Sequence, residues 1–107
     1  MTEPRATPLI SAEALAGGLA DPALRLADVR WYHSDPERGR REYGAGHLPG
    51  AVFVDLDHDL SAERGRGRHP LPDPRAFARR MGELGFGDEH TIVVYDDAGG
   101  TVAARLW

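Results

Sequence analysis

The segment Ile92-Val93-Val94-Tyr95-Asp96-Asp97-Ala98-Gly99-Gly100-Thr101 carries the strongest structural signal in the chain. Residues Thr91 to Tyr95 form a continuous β-branched and aromatic run, which is typical of a strand covered on both faces. The N–H groups of a tight glycine loop converge, and a helix that follows adds its positive end, so the segment predicts a strand–loop–helix able to cradle an anion. The alternative is a plain turn whose acids cap the helix. Asp96 at the base of the cradle favours a loop that satisfies its own N–H groups.

Two further strands are predicted upstream of this segment. The apolar run from Leu24, which closes in Asp28-Val29-Arg30-Trp31, predicts a buried strand. Residues Ala51 to Val54 predict another, introduced by the turn Leu48-Pro49-Gly50. Leu9-Ile10 is predicted to be extended.

Helical segments alternate with these strands. Ser11 can cap a helix over Ser11 to Leu19, and Asp73-Pro74 begins a second helix that ends at Gly85. Residues 32–46 are predicted to be a surface loop with one helical turn, and residues 55–72 an irregular polar loop. Alternating strands and helices indicate an α/β fold with a parallel sheet flanked by helices in three layers. Its site is expected at the carboxyl ends of the strands, in the loops after Val29 and Tyr95.

Composition excludes several functional classes. The chain has 107 residues, 41% hydrophobic and 28% charged, which fits one ordinary globular domain. A net charge of −4 argues against general nucleic-acid binding, and no apolar run approaches the roughly 20 residues of a membrane span. The start of the chain has no signal-peptide core, which favours the cytoplasm. The absence of Cys excludes a disulfide, a thiolate metal site and a cysteine nucleophile. No cofactor is expected.

Two catalytic motifs lack residues that they require. Phosphatases of the haloacid dehalogenase type use Asp-x-Asp after an apolar strand, and the second aspartate would have to stand at Ala98. A phosphate loop of the Walker type needs a lysine, and every basic residue of this chain is Arg. An aspartate-dependent hydrolase acting through Asp96 is therefore not supported.

Metal and RNA sites also lack their required pattern. The run Asp55, Asp57 and Asp59 starts like a calcium loop, but Leu60 replaces the glycine and Arg66 the glutamate. Without metal-ligand spacing, three histidines are expected to be hydrogen-bonded loop residues: His47, His58 and His69. Without interleaved aromatics, three arginines predict a solvated loop face: Arg64, Arg66 and Arg68.

Four segments together resemble a rhodanese-type sulfurtransferase, specifically the N-terminal domain of the two-domain kind. They are Leu26 to Trp31, Tyr43 to Asp57, Gly67 to Pro72, and Val93 to Asp97 followed by Ala103 to Trp107. The block Gly46-His47-Leu48-Pro49-Gly50-Ala51 is highly specific, whereas Asp28-Val29-Arg30 alone would be weak. The resemblance covers nearly the whole chain, and implies a flexible lead-in over residues 1–7 and a partial rhodanese-like domain over residues 8–107.

The resemblance implies a chemistry that this chain cannot perform alone. The family transfers sulfane sulfur from thiosulfate or 3-mercaptopyruvate to cyanide or a thiol, through a persulfide on a loop cysteine. The position that matches this cysteine is Asp96, and a carboxylate oxygen cannot carry a transferable sulfane sulfur. We therefore expect no catalytic residue here. The cysteine is expected in a C-terminal catalytic rhodanese domain of the same parent chain, which is the expected partner.

The resemblance also assigns residues around the matching loop. The candidates for the cleft that would bind a small sulfur anion are Arg30, Asp96, Asp97, Gly99 and Gly100. The residues expected to hold the structure of the motifs are Asp28, His47, Pro49 and Gly50.

The family's five-stranded sheet, in the order 1-5-4-2-3, implies one more strand after the helix that begins at Thr101. The last strand and helices are expected to be missing here, so the chain is expected to be a segment of a longer reading frame. Alone it would be marginally stable, or would fill the empty slot by association. The alternative is a stand-alone, catalytically dead module that binds a partner or an anion.

Overall fold

A computed structural model describes residues 9–62 and 69–107. Its helices and strands are α1 (Ala12–Gly18), β1 (Leu24–Asp28), α2 (Arg38–Ala45), β2 (Val52–Phe53), α3 (Leu56–Asp59), α4 (Pro74–Glu83), β3 (Thr91–Tyr95) and a 3-10 helix (Ala103–Arg105). The predicted lead-in over residues 1–7 and the cluster Arg64, Arg66 and Arg68 lie outside the described residues. No described helix has the length and apolar character needed to cross a membrane.

The three strands form a parallel sheet in the order β2-β1-β3. Leu24 lies opposite Thr91 and Asp28 opposite Tyr95, while Ala27 lies opposite Val52. This confirms the α/β fold with a parallel sheet, and it corresponds to strands 3-2-4 of the order that the resemblance implies. Because all three strands run the same way, the segments that follow them meet at one edge of the sheet.

Two helices begin where the sequence predicts. Ser11 caps α1 by accepting a hydrogen bond from the Ala14 N–H at 3.1 Å. Asp73 caps α4 with 3.1 Å bonds from two backbone N–H groups, and Pro74 occupies the first helical position. Gly85, at φ +96°, adopts the left-handed conformation just after the end of α4.

The prediction of a surface loop over residues 32–46 is wrong, because α2 occupies eight of these residues. Its helical signal is weak in the sequence, and the helix is held by tertiary contacts. A Cβ atom on Gly39 would lie 2.2 Å from the Arg30 carbonyl oxygen, so only glycine allows this close approach. The Tyr43 hydroxyl donates to the Ala51 carbonyl oxygen at 2.5 Å, which ties α2 to the chain entering β2.

Other boundaries are also corrected. The segment 55–72 contains the one-turn helix α3, which Asp55 caps by accepting the Asp57 N–H at 3.0 Å. The helix predicted from Thr101 is reduced to the short 3-10 helix, and the strands predicted up to Trp31 and over Ala51 to Val54 are shorter. Leu9-Ile10 lies outside the three-stranded sheet.

The core lies where the ends of β1 and β2 meet α4. Its buried residues are Ala27, Val29, Val54, Leu56, Leu60, Met81 and Phe86. Neither edge strand of the described sheet, β2 or β3, has a strand on its outer side, but they differ in exposure. Phe53 of β2 is 6% exposed and contacts the Tyr43 ring of α2, whereas Ile92 of β3 is 40% exposed. An apolar groove of about 360 Å³ runs along the outer side of β3, lined by Phe77, Met81, Phe86, Ile92, Val94 and Leu106 among others. The sheet therefore has one covered flank and one open flank.

Candidate functional site

The loop after β3 is closed on the side chain of its first residue. Asp96 Oδ1 accepts the N–H groups of Ala98 at 2.9 Å and Gly100 at 2.8 Å. Its Oδ2 accepts the N–H groups of Val102 at 2.8 Å and Ala103 at 2.7 Å. Four backbone donors thus converge on one carboxylate, so the cradle predicted from the sequence contains its own anion. This is the geometry of a loop that satisfies its own N–H groups.

Two glycines make this convergence sterically accessible. Gly99 and Gly100 have φ values of +70° and +91°, in the region that side-chain-bearing residues rarely adopt. Asp97 takes no part in the cradle, since its Oδ2 accepts the Tyr32 hydroxyl at 2.5 Å. The two adjacent aspartates therefore have separate roles, one inside the loop and one towards the segment after β1.

The electrostatics of Asp96 follow from these bonds. Burial raises the pKa of the Asp96 carboxyl, but the four backbone hydrogen bonds lower it more, and the pKa lies below its ordinary value. At neutral pH the cradle therefore holds a carboxylate whose oxygens are both engaged. Such a group is poorly placed to act as a base or a nucleophile.

Arg30 is paired within the protein. Its Nη2 lies 2.7 Å from Asp28 Oδ2 and also donates to the Gly46 carbonyl oxygen at 2.7 Å. The fully buried Asp28 accepts in addition the Tyr95 hydroxyl at 2.9 Å. The hydrogen bond that Arg30 donates to Asp28 raises the pKa of Arg30, and burial with the bond that its hydroxyl donates to Asp28 raises the pKa of Tyr95 to about 12. This network locks the end of β1 to the end of β3.

The Gly-His-Leu-Pro-Gly-Ala block forms the turn that leads into β2. The Ala51 N–H donates to the Leu48 carbonyl oxygen at 3.0 Å across Pro49-Gly50, and Gly50 has a φ of +80°. The His47 Nδ1 lies 2.7 Å from the Tyr43 carbonyl oxygen, and the imidazole stacks on the Tyr43 ring at 3.8 Å. The turn is thus fixed to the end of α2.

A second polar cluster at the same edge was not predicted as a site. Trp31 follows β1, and its indole Nε1 donates to Asp57 Oδ2 at 2.8 Å. The other oxygen of this carboxylate lies 3.0 Å from His69 Nε2. In the sequence, Asp57 belongs to an incomplete calcium loop and His69 is one of three scattered histidines. The signal that was available is that all three residues belong to segments of the family resemblance.

These side chains border an open depression of about 390 Å³ at the carboxyl ends of the strands. It is lined by Trp31, Leu56, His69, Thr101, Val102, Ala104 and Arg105. The Arg105 guanidinium donates to the Leu60 carbonyl oxygen, from Nη2 at 3.0 Å, and to the His69 carbonyl oxygen. The depression combines an indole, an imidazole oriented by a carboxylate, and a guanidinium.

The acidic run after β2 does not converge on a metal. Asp55 caps α3, Asp57 binds Trp31 and His69, and Asp59 accepts Arg80 Nε at 2.6 Å. Burial raises the pKa of Asp55 above its ordinary value. Within residues 9–62 and 69–107, no group of three or more side chains is arranged as metal ligands.

Comparison with known proteins points in one direction. A family model described as "Rhodanese-like domain" matches residues 11–107. A Pseudomonas aeruginosa protein named "Probable 3-mercaptopyruvate sulfurtransferase" is 43% identical over 102 residues, 92% of this chain and 36% of that protein. The Bos taurus thiosulfate sulfurtransferase is 35% identical over 98 residues, 90% of this chain and 33% of that protein.

The same likeness holds among solved structures. A 3-mercaptopyruvate sulfurtransferase from Leishmania major superposes with a TM-score of 0.82 at 29% identity, covering 92% of this chain and 27% of that one. The chain spans about a third of the length of the curated relatives described above.

Proposed function

Because this chain belongs to the rhodanese-like domain family, we propose that it is the N-terminal, non-catalytic rhodanese segment of a sulfurtransferase. The proposed parent protein moves sulfane sulfur from thiosulfate or 3-mercaptopyruvate to cyanide or a thiol. Its cysteine stands in a C-terminal catalytic rhodanese domain of the same chain. The names of the relatives and their roughly threefold greater length support this proposal.

The observation that carries the proposal is the Asp96 carboxylate in the cradle after β3. In sulfur transfer from thiosulfate, a thiolate attacks the outer sulfur, the S–S bond breaks and sulfite leaves with the electron pair. The acceptor then takes that sulfur from the persulfide and the thiolate is regenerated. This chain has no Cys, and its cradle donors are already bound to a carboxylate.

The role that we assign to this chain is to form one wall of the cleft of the parent enzyme. Arg30, Asp96, Asp97, Gly99 and Gly100 frame the edge of the sheet through internal bonds and do no chemistry. The surface left open beside them is the depression with His69 and Arg105. In the tautomer that donates Nε2–H to Asp57, the imidazole carries a lone pair on Nδ1 that can accept a hydrogen bond.

The open flank of β3 fits the same proposal. Edge strands rich in β-branched residues are usually covered, and apolar grooves of this kind usually contact another element. We propose that a further part of the parent polypeptide covers β3 and the groove lined by Ile92 and Leu106. A C-terminally extended chain is then expected to unfold at higher denaturant concentration than the 107-residue chain.

A sulfurtransferase assay tests the proposal directly. The 107-residue chain should form no thiocyanate from thiosulfate and cyanide above the blank, whereas a polypeptide that extends into the downstream reading frame should. In the extended protein, a Cys→Ser change in the second domain should abolish turnover. Thiocyanate production by the 107-residue chain alone would refute the proposal.

The alternative is a stand-alone, catalytically dead rhodanese-like module that binds a partner through the open flank of β3. The downstream reading frame discriminates between the two. A second block of the Gly-His-Leu-Pro-Gly-Ala type followed by a cysteine loop supports the enzyme, and its absence supports the binding module.

A further inference from the structure

We propose that Trp31 is a positioning residue that fixes the Asp57 carboxylate and, through it, the imidazole of His69. The inference deepens the proposed function, because His69 borders the depression that we assign to the cleft wall. It concerns how one side chain orients another and assigns no bond-making step to Trp31.

The two oxygens of the Asp57 carboxylate have different hydrogen-bond partners. This side chain is 33% exposed and can rotate freely unless its oxygens are held. The Trp31 indole N–H donates to Oδ2 at 2.8 Å, and Oδ1 lies 3.0 Å from His69 Nε2. An indole nitrogen is only a donor, so this bond cannot be reversed. The bond therefore fixes the orientation of the carboxylate, with its second oxygen facing the histidine.

The Trp31 and His69 rings are also in direct contact. The Trp31 and His69 ring centroids lie 5.1 Å apart with an interplanar angle of 88°, an edge-to-face arrangement. The imidazole is thus held by a hydrogen bond at one nitrogen and by the indole. A ring held at two points has fewer orientations than a loop histidine held at one.

Trp31 is itself anchored in the protein. Its ring packs against the core cluster, and it lies three residues after the end of β1. Asp57 lies in the short helix α3, and the backbone carbonyl of His69 accepts a hydrogen bond from Arg105. Trp31 therefore connects the cluster to the core beside β1 and can hold the Asp57 carboxylate in a fixed position.

The tautomer of His69 tests this proposal. In the unchanged chain at neutral pH, 15N NMR should show His69 as the Nε2–H tautomer, since Nε2 faces a carboxylate. In Trp31→Phe the two ring nitrogens of His69 should converge towards averaged shifts, because the carboxylate is released. His47 is the internal reference for the folded state, since its Nδ1 faces the Tyr43 carbonyl oxygen and should stay Nδ1–H.

Two further variants keep the result interpretable. Trp107→Phe changes an indole that is 80% exposed and should leave His69 unaltered. Asp57→Ala should average the His69 tautomer and speed hydrogen exchange at the Trp31 indole. An unchanged His69 tautomer in Trp31→Phe, or an averaged one in the unchanged chain, overturns the proposal. These readouts need no sulfur transfer, so a failed assay in the parent enzyme and a failed positioning role are separate outcomes.

Discussion

Two clusters at the carboxyl edge of the sheet use their polar groups in opposite ways. In the loop after β3, four N–H groups end on the Asp96 carboxylate, and the cradle is closed. In the cluster after β1, the Asp57 carboxylate orients His69 at the rim of an open depression. One cluster thus holds an anion whose oxygens are all bound within the protein, while the other presents an imidazole at the rim of open space.

The two clusters show that residue type alone does not identify a structural residue. A polar side chain whose hydrogen bonds are all made within the protein supports the fold, whereas one that borders open space can still bind a ligand. Arg30 is a cleft candidate in the sequence, yet its guanidinium is bound within the protein to Asp28 and to the Gly46 carbonyl oxygen. His69 looks ordinary in the sequence, yet its ring borders open space. Closed clusters should therefore affect stability when altered, and the open cluster should not.

The largest expected effect is at the closed end of β1. Asp28→Ala removes a fully buried carboxylate and leaves Arg30 and Tyr95 without their shared acceptor. Breaking a buried pair from one side costs about 3–5 kcal/mol of unfolding free energy. Urea denaturation followed by circular dichroism measures this. Asp35→Ala is the matched control, since it breaks an exposed pair with Arg41 and should change stability little.

A smaller loss is expected for the closed cradle itself. Asp96→Ala leaves four N–H groups without their acceptor, but water can reach most of this loop. We expect a loss of about 2 kcal/mol, within the range for hydrogen bonds to a charged group. Asp97→Ala, which removes one bond to Tyr32, should cost less. Equal unfolding midpoints for the two variants would contradict the closed cradle.

The pH dependence of Asp96 should have a definite sign. Its pKa in the folded chain is below the unfolded value, so its stabilisation is present above about pH 4 and is lost as the pH falls through the folded pKa. The difference in unfolding free energy between the unchanged chain and Asp96→Ala should therefore shrink below pH 4. Asp55 has a raised pKa and acts in the opposite direction. A difference that grows on acidification would exclude the assigned role of Asp96.

The sequence was sufficient for the parts of the fold that depend on local pattern. Thr91 to Tyr95 is a strand as predicted, and Ser11 and Asp73 cap helices as predicted, because strand propensity and capping act over a few residues. The helix α2 was missed because its support comes from elsewhere in the chain, in the approach of Gly39 to the Arg30 carbonyl. Local propensity contains no information on such contacts.

The candidate site likewise has one part that the sequence predicted and one part that it did not. That Asp96 would satisfy its own loop was foreseeable, since its donors lie within seven residues. The Asp57–His69 pair was not, since its members are 12 residues apart and Trp31 lies 26 residues from Asp57. The parallel register of β1 and β2 brings the segments of Trp31 and Asp57 together, and His69 reaches them from a loop further along the chain.

The smallest expected effect on stability is at the open cluster. This prediction tests directly whether the open cluster differs from the closed ones. His69→Gln removes an imidazole that is 21% exposed and whose main contacts are Asp57 and the Trp31 ring. The change removes one ring contact and one hydrogen bond, so it should cost about 1 kcal/mol or less, and the urea midpoint should move less than in Asp96→Ala. If the open depression is a cleft wall, the same change should still lower sulfur transfer by the extended protein. A large loss of stability in His69→Gln would show that this cluster is framework too, and the distinction between the two clusters would fail.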